Sequence, residues 1–209
     1  ISNLEYIGGA LAIISNNGIS GFGDNSFLNS VKKIDGKNTS QIPINIPESD
    51  IEFVTIIIDK NKKINKLELN NLVSTGSLSN KESYLAFDNN DDLDEISFPK
   101  LTNTSKNFIS ITGNKLLTNI NFNMLKNINK INIVNNNSLQ NLNKFSSLET
   151  ISFFLVIQEN NKLNNIQFPN LKELGVSGEN VIRDNADSIE NKSAVWTENP
   201  SAPIDISAQ

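Results

Sequence analysis

The sequence predicts a mainly β fold, a β-solenoid of about 22–29-residue coils carrying a stacked asparagine ladder. Three observations predict it. Six segments superimpose without a gap, starting at Leu11, Ile56, Leu85, Ile109, Ile131 and Leu155, and each places an asparagine five residues on, at Asn16, Asn61, Asn90, Asn114, Asn136 and Asn160. Apolar residues recur eight residues on (Ile19, Ile64, Leu93, Leu117, Leu139, Leu163) and eleven residues on (Phe22, Leu67, Ile96, Ile120, Leu142, Ile166). Between Asn61 and Asn160 the rungs fall 29, 24, 22 and 24 residues apart, the period of a chain built from stacked repeats.

Each part of the unit follows from its spacing. Ile109-Ser-Ile111 alternates in, out, in, as a short strand does. A helix would want apolar residues three and four apart over a longer run. The asparagine stands at the corner, where its side chain can bond backbone groups left unpaired by the turn. The lone Leu or Ile three places later turns a second side inward. Many units then end in Phe-Pro-x-Leu, as in Phe98-Pro99-Lys100-Leu101 and Phe168-Pro169-Asn170-Leu171, more weakly in Phe122-Asn123-Met124-Leu125. The pairs Leu125/Ile128, Leu148/Ile151 and Leu171/Leu174 close each coil before the next begins.

At the ends the pattern thins. Asn16 and Asn61 are 45 residues apart, about two units, and the unit expected around Ile34–Ile46 has lost the pattern. Beyond Leu174 the repeat fades. The expected division is a solenoid over 1–182 and a C-terminal tail over 183–209, which either caps the last coil, with Trp196 as the plug, or links to another domain.

Composition bounds the function. With 209 residues the chain is long enough for one continuous core. Its net charge is −5 and it holds no basic stripe, so nucleic acid is not an expected partner. No apolar run is long enough to span a bilayer. The initial Ile reads as a trimmed or mature chain. The absence of Cys removes disulfides and thiolate metal sites, and the absence of His removes the commonest general base. There is no Gly-x-Ser-x-Gly elbow and no phosphate loop, so no cofactor is expected.

Two places remain for chemistry. The run Asp88-Asn-Asn-Asp91-Asp92-Leu-Asp94-Glu95 begins like a calcium loop, with Asp88 and Asp92 as candidate ligands. Leu93 stands where such a loop needs Gly and Pro99 where it needs Glu. The plainer reading sets the acidic run against the preceding coil, with Lys62 over Asp91, Lys63 over Asp92 and Lys66 over Glu95. The other place is the outward strand positions. One column holds Ala10, Thr55, Tyr84, Phe108, Lys130 and Phe154, and the next holds Ala12, Ile57, Ala86, Ser110, Asn132 and Val156. Tyr84, Phe108 and Phe154, with Ile57 and Val156 beside them, form the expected ligand-binding patch if they face solvent. If they tuck into a corner or lie beneath loops, they are packing.

The stretch Leu4-Glu-Tyr-Ile7-Gly8-Gly9-Ala-Leu11-Ala-Ile13-Ile-Ser-Asn16-Asn17 resembles the repeat of receptor L domains, the leucine-rich modules of growth-factor receptor ectodomains. The Phe-Pro-x-Leu endings are closer to relatives on fungal cell walls and bacterial surfaces. The resemblance covers about residues 4–180. It implies a right-handed solenoid with short parallel strands, displayed outside the cell. The cysteines that flank receptor modules are absent, which fits a bacterial surface or periplasmic protein better than a receptor kinase. The expected function is a non-enzymatic cell-surface or secreted module that binds protein or glycan. The alternatives are a carbohydrate-active β-helix of the polysaccharide lyase kind and a purely structural spacer.

Overall fold

The computed structural model describes residues 4–20, 27–38, 53–76, 83–102, 107–175 and 180–186, with two further strands at 194–196 and 204–207. Among them there is no α-helix; one 3-10 turn occupies Phe27–Ser30. The strands run β1 Tyr6–Ile7, β2 Leu11–Ile14, β3 Lys33–Ile34, β4 Lys37–Asn38, β5 Phe53–Asp59, β6 Lys66–Glu68, β7 Ser74–Thr75, β8 Ser83–Asp88, β9 Glu95–Ser97 and β10 Asn107–Thr112. They continue as β11 Asn119–Asn121, β12 Asn127–Val134, β13 Asn141–Leu142, β14 Thr150–Gln158, β15 Asn165–Phe168, β16 Glu173–Leu174, β17 Asn180–Arg183, β18 Ala194–Trp196 and β19 Ile204–Ser207.

Parallel pairing dominates. The long sheet has the order β18-β17-β14-β12-β10-β8-β5-β2, and a second parallel sheet has β11-β9-β6. A third has β13-β15-β19 and a fourth β1-β3-β7. Each repeat thus gives one strand to the long sheet and one to a facing sheet. The registers are those of the sequence alignment: Ile109 pairs with Leu85 and Ile131, and Ile120 with Ile96. The architecture is mainly β with parallel sheets, compatible with a β-solenoid.

The core lies between these sheets. Ile56, Leu85, Ile109, Ile131 and Leu155 face inward from the long sheet, and Leu67, Ile96, Ile120, Leu142 and Ile166 face them from the other side, all buried. The eighth-place residues Ile64, Leu93, Leu117, Leu139 and Leu163 close the corner. Phe98, Phe122, Phe145 and Phe168 stack through the core with ring centroids 5.3, 5.4 and 5.7 Å apart. Each of these rings starts a tight turn, in which the Leu three residues on donates its N–H to the Phe carbonyl, as Leu125 does to Phe122 at 3.1 Å. Pro is dispensable in that turn, since Phe122 and Phe145 make it without one. Phe22 lies outside the described residues.

Among the described residues the ladder has seven rungs, one more than expected. At a typical rung, Asn114 Nδ2–H donates to the Phe87 carbonyl at 2.7 Å and Asn114 Oδ1 accepts the Asn90 N–H at 3.0 Å. Asn114 N–H in turn donates to Asn136 Oδ1 at 3.1 Å. Every inner rung repeats this, so each carboxamide ties its own corner to the two beside it. The added rung is Asn185, whose Oδ1 accepts the Asn160 N–H at 3.2 Å. It escaped the pattern because Asn180 stands where the other units have Leu or Ile; Asn180 Oδ1 accepts the Leu155 N–H at 2.8 Å. The ladder therefore reaches three residues past the boundary expected at 182.

The residue before each rung is left-handed. Ser15, Lys60, Asn89, Asn135, Glu159 and Asp184 have φ between 52° and 57°, and Gly113 has φ 70°. That conformation costs a side chain about 1–2 kcal/mol. Three Asn or Asp residues and one Gly reduce the cost at four of the seven corners.

Two expectations about the ends change. Strand β2 pairs directly with β5, Leu11 opposite Ile56, so no coil separates the Asn16 and Asn61 units. Ile34 instead belongs to β3, in the β1-β3-β7 sheet, and β4 then runs antiparallel along β5. At the other end β18 adds antiparallel to β17, and β19 antiparallel to β15. Both strands pair antiparallel where the repeats pair in parallel. Trp196 lies in β18, and its side chain falls outside the described residues.

Candidate functional site

The outer face of the long sheet carries the side chains that the core does not use. Its central feature is a second, small apolar cluster of Val54, Ile57, Tyr84, Ala86 and Phe108, with Ala10, Ile14 and Phe154 packed against it. Tyr84 and Phe108 pack with centroids 5.2 Å apart and ring planes tilted by 40°, and Phe108 meets Phe154 edge-on at 5.8 Å. The aromatic column drawn from the sequence thus comes together in space.

Its exposure does not follow. Tyr84 is 3 % exposed, Phe108 2 % and Ile57 5 %, so these three are packing residues and offer no surface to a partner. Phe154 and Val156 are half-buried at its edge. Thr55 also leaves the column. A register shift between Val54 and Ile56 sets Val54, not Thr55, opposite Tyr84, and Thr55 is buried.

A second irregularity supplies the aromatic surface the column lacks. Ile128 pairs with Ile151, and the next pair is Lys130 with Phe154, so β14 spends two residues, Ser152 and Phe153, where β12 spends one. Such a bulge re-aims the side chain at the extra residue. Phe153 is 40 % exposed as a result. Gly175 makes room for the bulge, because a Cβ there would lie 2.0 Å from the Ser152 carbonyl oxygen. Lys130 Nζ hangs over three rings, 5.2 Å from the centroid of Phe153, 5.8 Å from Phe154 and 5.9 Å from Phe108. Half-buried Asn132 and Val156 continue this surface along the sheet. The signal for Phe153 was present in the sequence, since Ile128 to Ile131 spans three residues and Ile151 to Leu155 spans four.

Polar chemistry gathers at the other end of the same face. Asp59 and Asp88 are in-register partners on β5 and β8. Burial pushes the Asp88 carboxyl up to about 7, and the Asp59 carboxylate pushes in the same direction. Hydrogen bonds from Ser110 and Thr112 act against the shift. Ser110 Oγ lies 3.2 Å from Asp88 Oδ1, and Lys60 Nζ lies 3.2 Å from Asp59 Oδ2.

The calcium-loop reading needs Asp88, Asn90 and Asp92 to converge. Asn90 is instead a ladder rung, whose Nδ2–H groups reach the Ile58 and Asp88 carbonyls and Asn114 Oδ1. Asp88 lies on the sheet face and Asp92 in an exposed turn beyond that rung. Among the described residues no three His, Cys, Asp or Glu side chains group as a metal site. The ion-pair expectation fares better. Lys66 pairs with Glu95 in register, and Lys66 Nζ lies 3.0 Å from Glu95 Oε2. Asn119 and Lys144 extend this polar chain across two more repeats, at 2.5 and 2.8 Å.

No helix among the described residues is long and apolar enough to cross a membrane. Comparison with protein-family models, curated proteins and solved structures returned no match to this chain.

Proposed function

We propose that this chain is a non-enzymatic recognition module of a cell-surface or secreted protein, and that it binds a protein or glycan with the outer face of its long sheet. In this reading it is a right-handed β-solenoid of about 22–29-residue coils, akin to receptor L domains and other leucine-rich surface modules. The observation that carries the reading is the bulge at Ser152–Phe153. A bulge in an otherwise regular ladder, accommodated by Gly175, turns one large aromatic ring out of the sheet beside a lysine. Aromatic rings contribute large contact area at low entropy cost, which suits them to interface hot spots. The parallel strands on either side hold those groups at fixed spacing before any ligand arrives.

The test is a glycan-array and pull-down screen of the unaltered chain, repeated with Phe153→Ala and with Met124→Ala. Met124 is 48 % exposed in the Phe122–Leu125 turn, away from the sheet face. Phe153→Ala is expected to leave folding intact and to weaken the captured ligand at least tenfold, while Met124→Ala leaves it unchanged. Equal binding by all three proteins would remove the site from this face.

One observation favours a second reading. Asp59 and Asp88 stand in register on adjacent strands, and burial pushes the Asp88 carboxyl up to about 7, a range suited to a general acid. Release of product from a polysaccharide by the unaltered chain, abolished in Asp88→Asn, would replace recognition with carbohydrate catalysis.

A further inference from the structure

Asp59 and Asp88 sit side by side because the repeat places both three residues after an inward-facing Leu or Ile. The next strands offer Asp88 hydroxyls but neither aspartate an opposite charge in register. Opposite Asp59 on β2 stands Ile14, and opposite Asp88 on β10 stands Thr112. Among the described residues, the titratable groups facing the pair are its own two carboxyls and the Lys60 ammonium, which is 65 % exposed and reaches Asp59 Oδ2. The other oxygen, Asp59 Oδ1, is buried without a hydrogen-bond partner. A buried acceptor left unpaired costs about 1–3 kcal/mol, more when it is charged. A proton on the neighbouring in-register carboxyl removes one of two adjacent like charges.

We infer that the Asp59–Asp88 pair is a proton-operated latch: with one proton between the carboxyls it ties β5 to β8 at the end of the outer face, and without it the two charges push those strands apart. Asp59 lies two residues from Ile57, and Asp88 two from Ala86, both members of the outer apolar cluster. Loss of the proton therefore loosens the edge of the surface on which that cluster sits. The latch requires no particular ligand and stands whether the outer face binds or not.

The direction in pH follows from the shift. Burial lifts the Asp88 carboxyl from its ordinary value of 3.8 to about 7, so the folded chain holds this proton more readily than the unfolded one. The stability it contributes is fully present below the unfolded value and is lost as the pH rises through the folded one. The chain suits such a measurement, because it has no histidine. Asp35 and Glu149, the other carboxyls with clear shifts, move downward under hydrogen bonds from Tyr6 and Lys172, and so titrate below this window.

The experiment is urea unfolding of the whole chain at half-unit steps from pH 5 to 8.5. The unfolding constant is expected to rise about tenfold per pH unit up to about pH 6.5 and to level off above about pH 8, the slope of one proton held by the folded state alone. Asp88→Asn keeps an acceptor for Ser110 and is expected to flatten the profile, while Asp59→Asn moves the rise to lower pH. A flat profile in the unaltered chain, or an unchanged slope in Asp88→Asn, overturns the latch. Should the variants fail to fold, a carbon-13 titration of the aspartate carboxyls in the unaltered chain decides the matter: one Asp titrating near neutral pH supports the latch, and every Asp titrating below pH 5 refutes it.

Discussion

Phe122→Ala is expected to lower the unfolding free energy by about 3–5 kcal/mol, the range for deleting a fully buried ring and leaving its cavity. Phe122 has no exposed surface and sits in the middle of the aromatic stack, 5.3 Å from Phe98 and 5.4 Å from Phe145. Removing it strips a ring contact from both neighbours, each worth about 0.5–1.5 kcal/mol beyond area burial. The site has little freedom to collapse, because hydrogen bonds fix the repeats on either side. Equilibrium urea unfolding measures the effect, and a loss below about 1 kcal/mol would mean that the ring is not packed as described.

Asn114→Ala is the second large effect, expected at about 3 kcal/mol. The carboxamide is fully buried and serves three corners at once. Its removal leaves the Asn90 N–H without an acceptor, an orphan that costs about 1–3 kcal/mol, and takes one donor each from the Phe87 and Thr112 carbonyls. Lys115→Ala, one residue along in the exposed turn, is expected to cost less than about 0.5 kcal/mol. Equal losses at the two positions would contradict the register.

What the sequence revealed and what it hid divide along physical lines. A column whose members all do the same job is legible, because the same residue types recur: the six asparagines, the inward Leu/Ile columns and the Lys66–Glu95 pair were each found in place. A position where one repeat departs from the rest is harder to read. Asn180 takes a core position usually held by Leu or Ile and so hides the seventh rung. The extra residue at Phe153 displaces an aromatic that a gapless alignment cannot place. Burial on the outer face was the least legible feature. Alternation shows which side of a strand Tyr84 and Phe108 occupy, but both sides of this sheet carry apolar clusters, and alternation does not distinguish a second cluster from a free surface. Asp59 was legible in principle, since the alignment sets it opposite Asp88, but the consequence depends on burial.

The outer face is defined only as well as the ladder beneath it, and native-state hydrogen exchange reads that ladder directly. The backbone N–H groups of Asn61, Asn90, Asn114, Asn136 and Asn160 each donate to the side chain of the next rung. They are expected to exchange slowly and as a group, opening only when the repeats come apart, while the amides of exposed Lys115 and Lys162 in the same corners exchange fast. Ladder amides that exchange as fast as Lys115 and Lys162 would contradict the account.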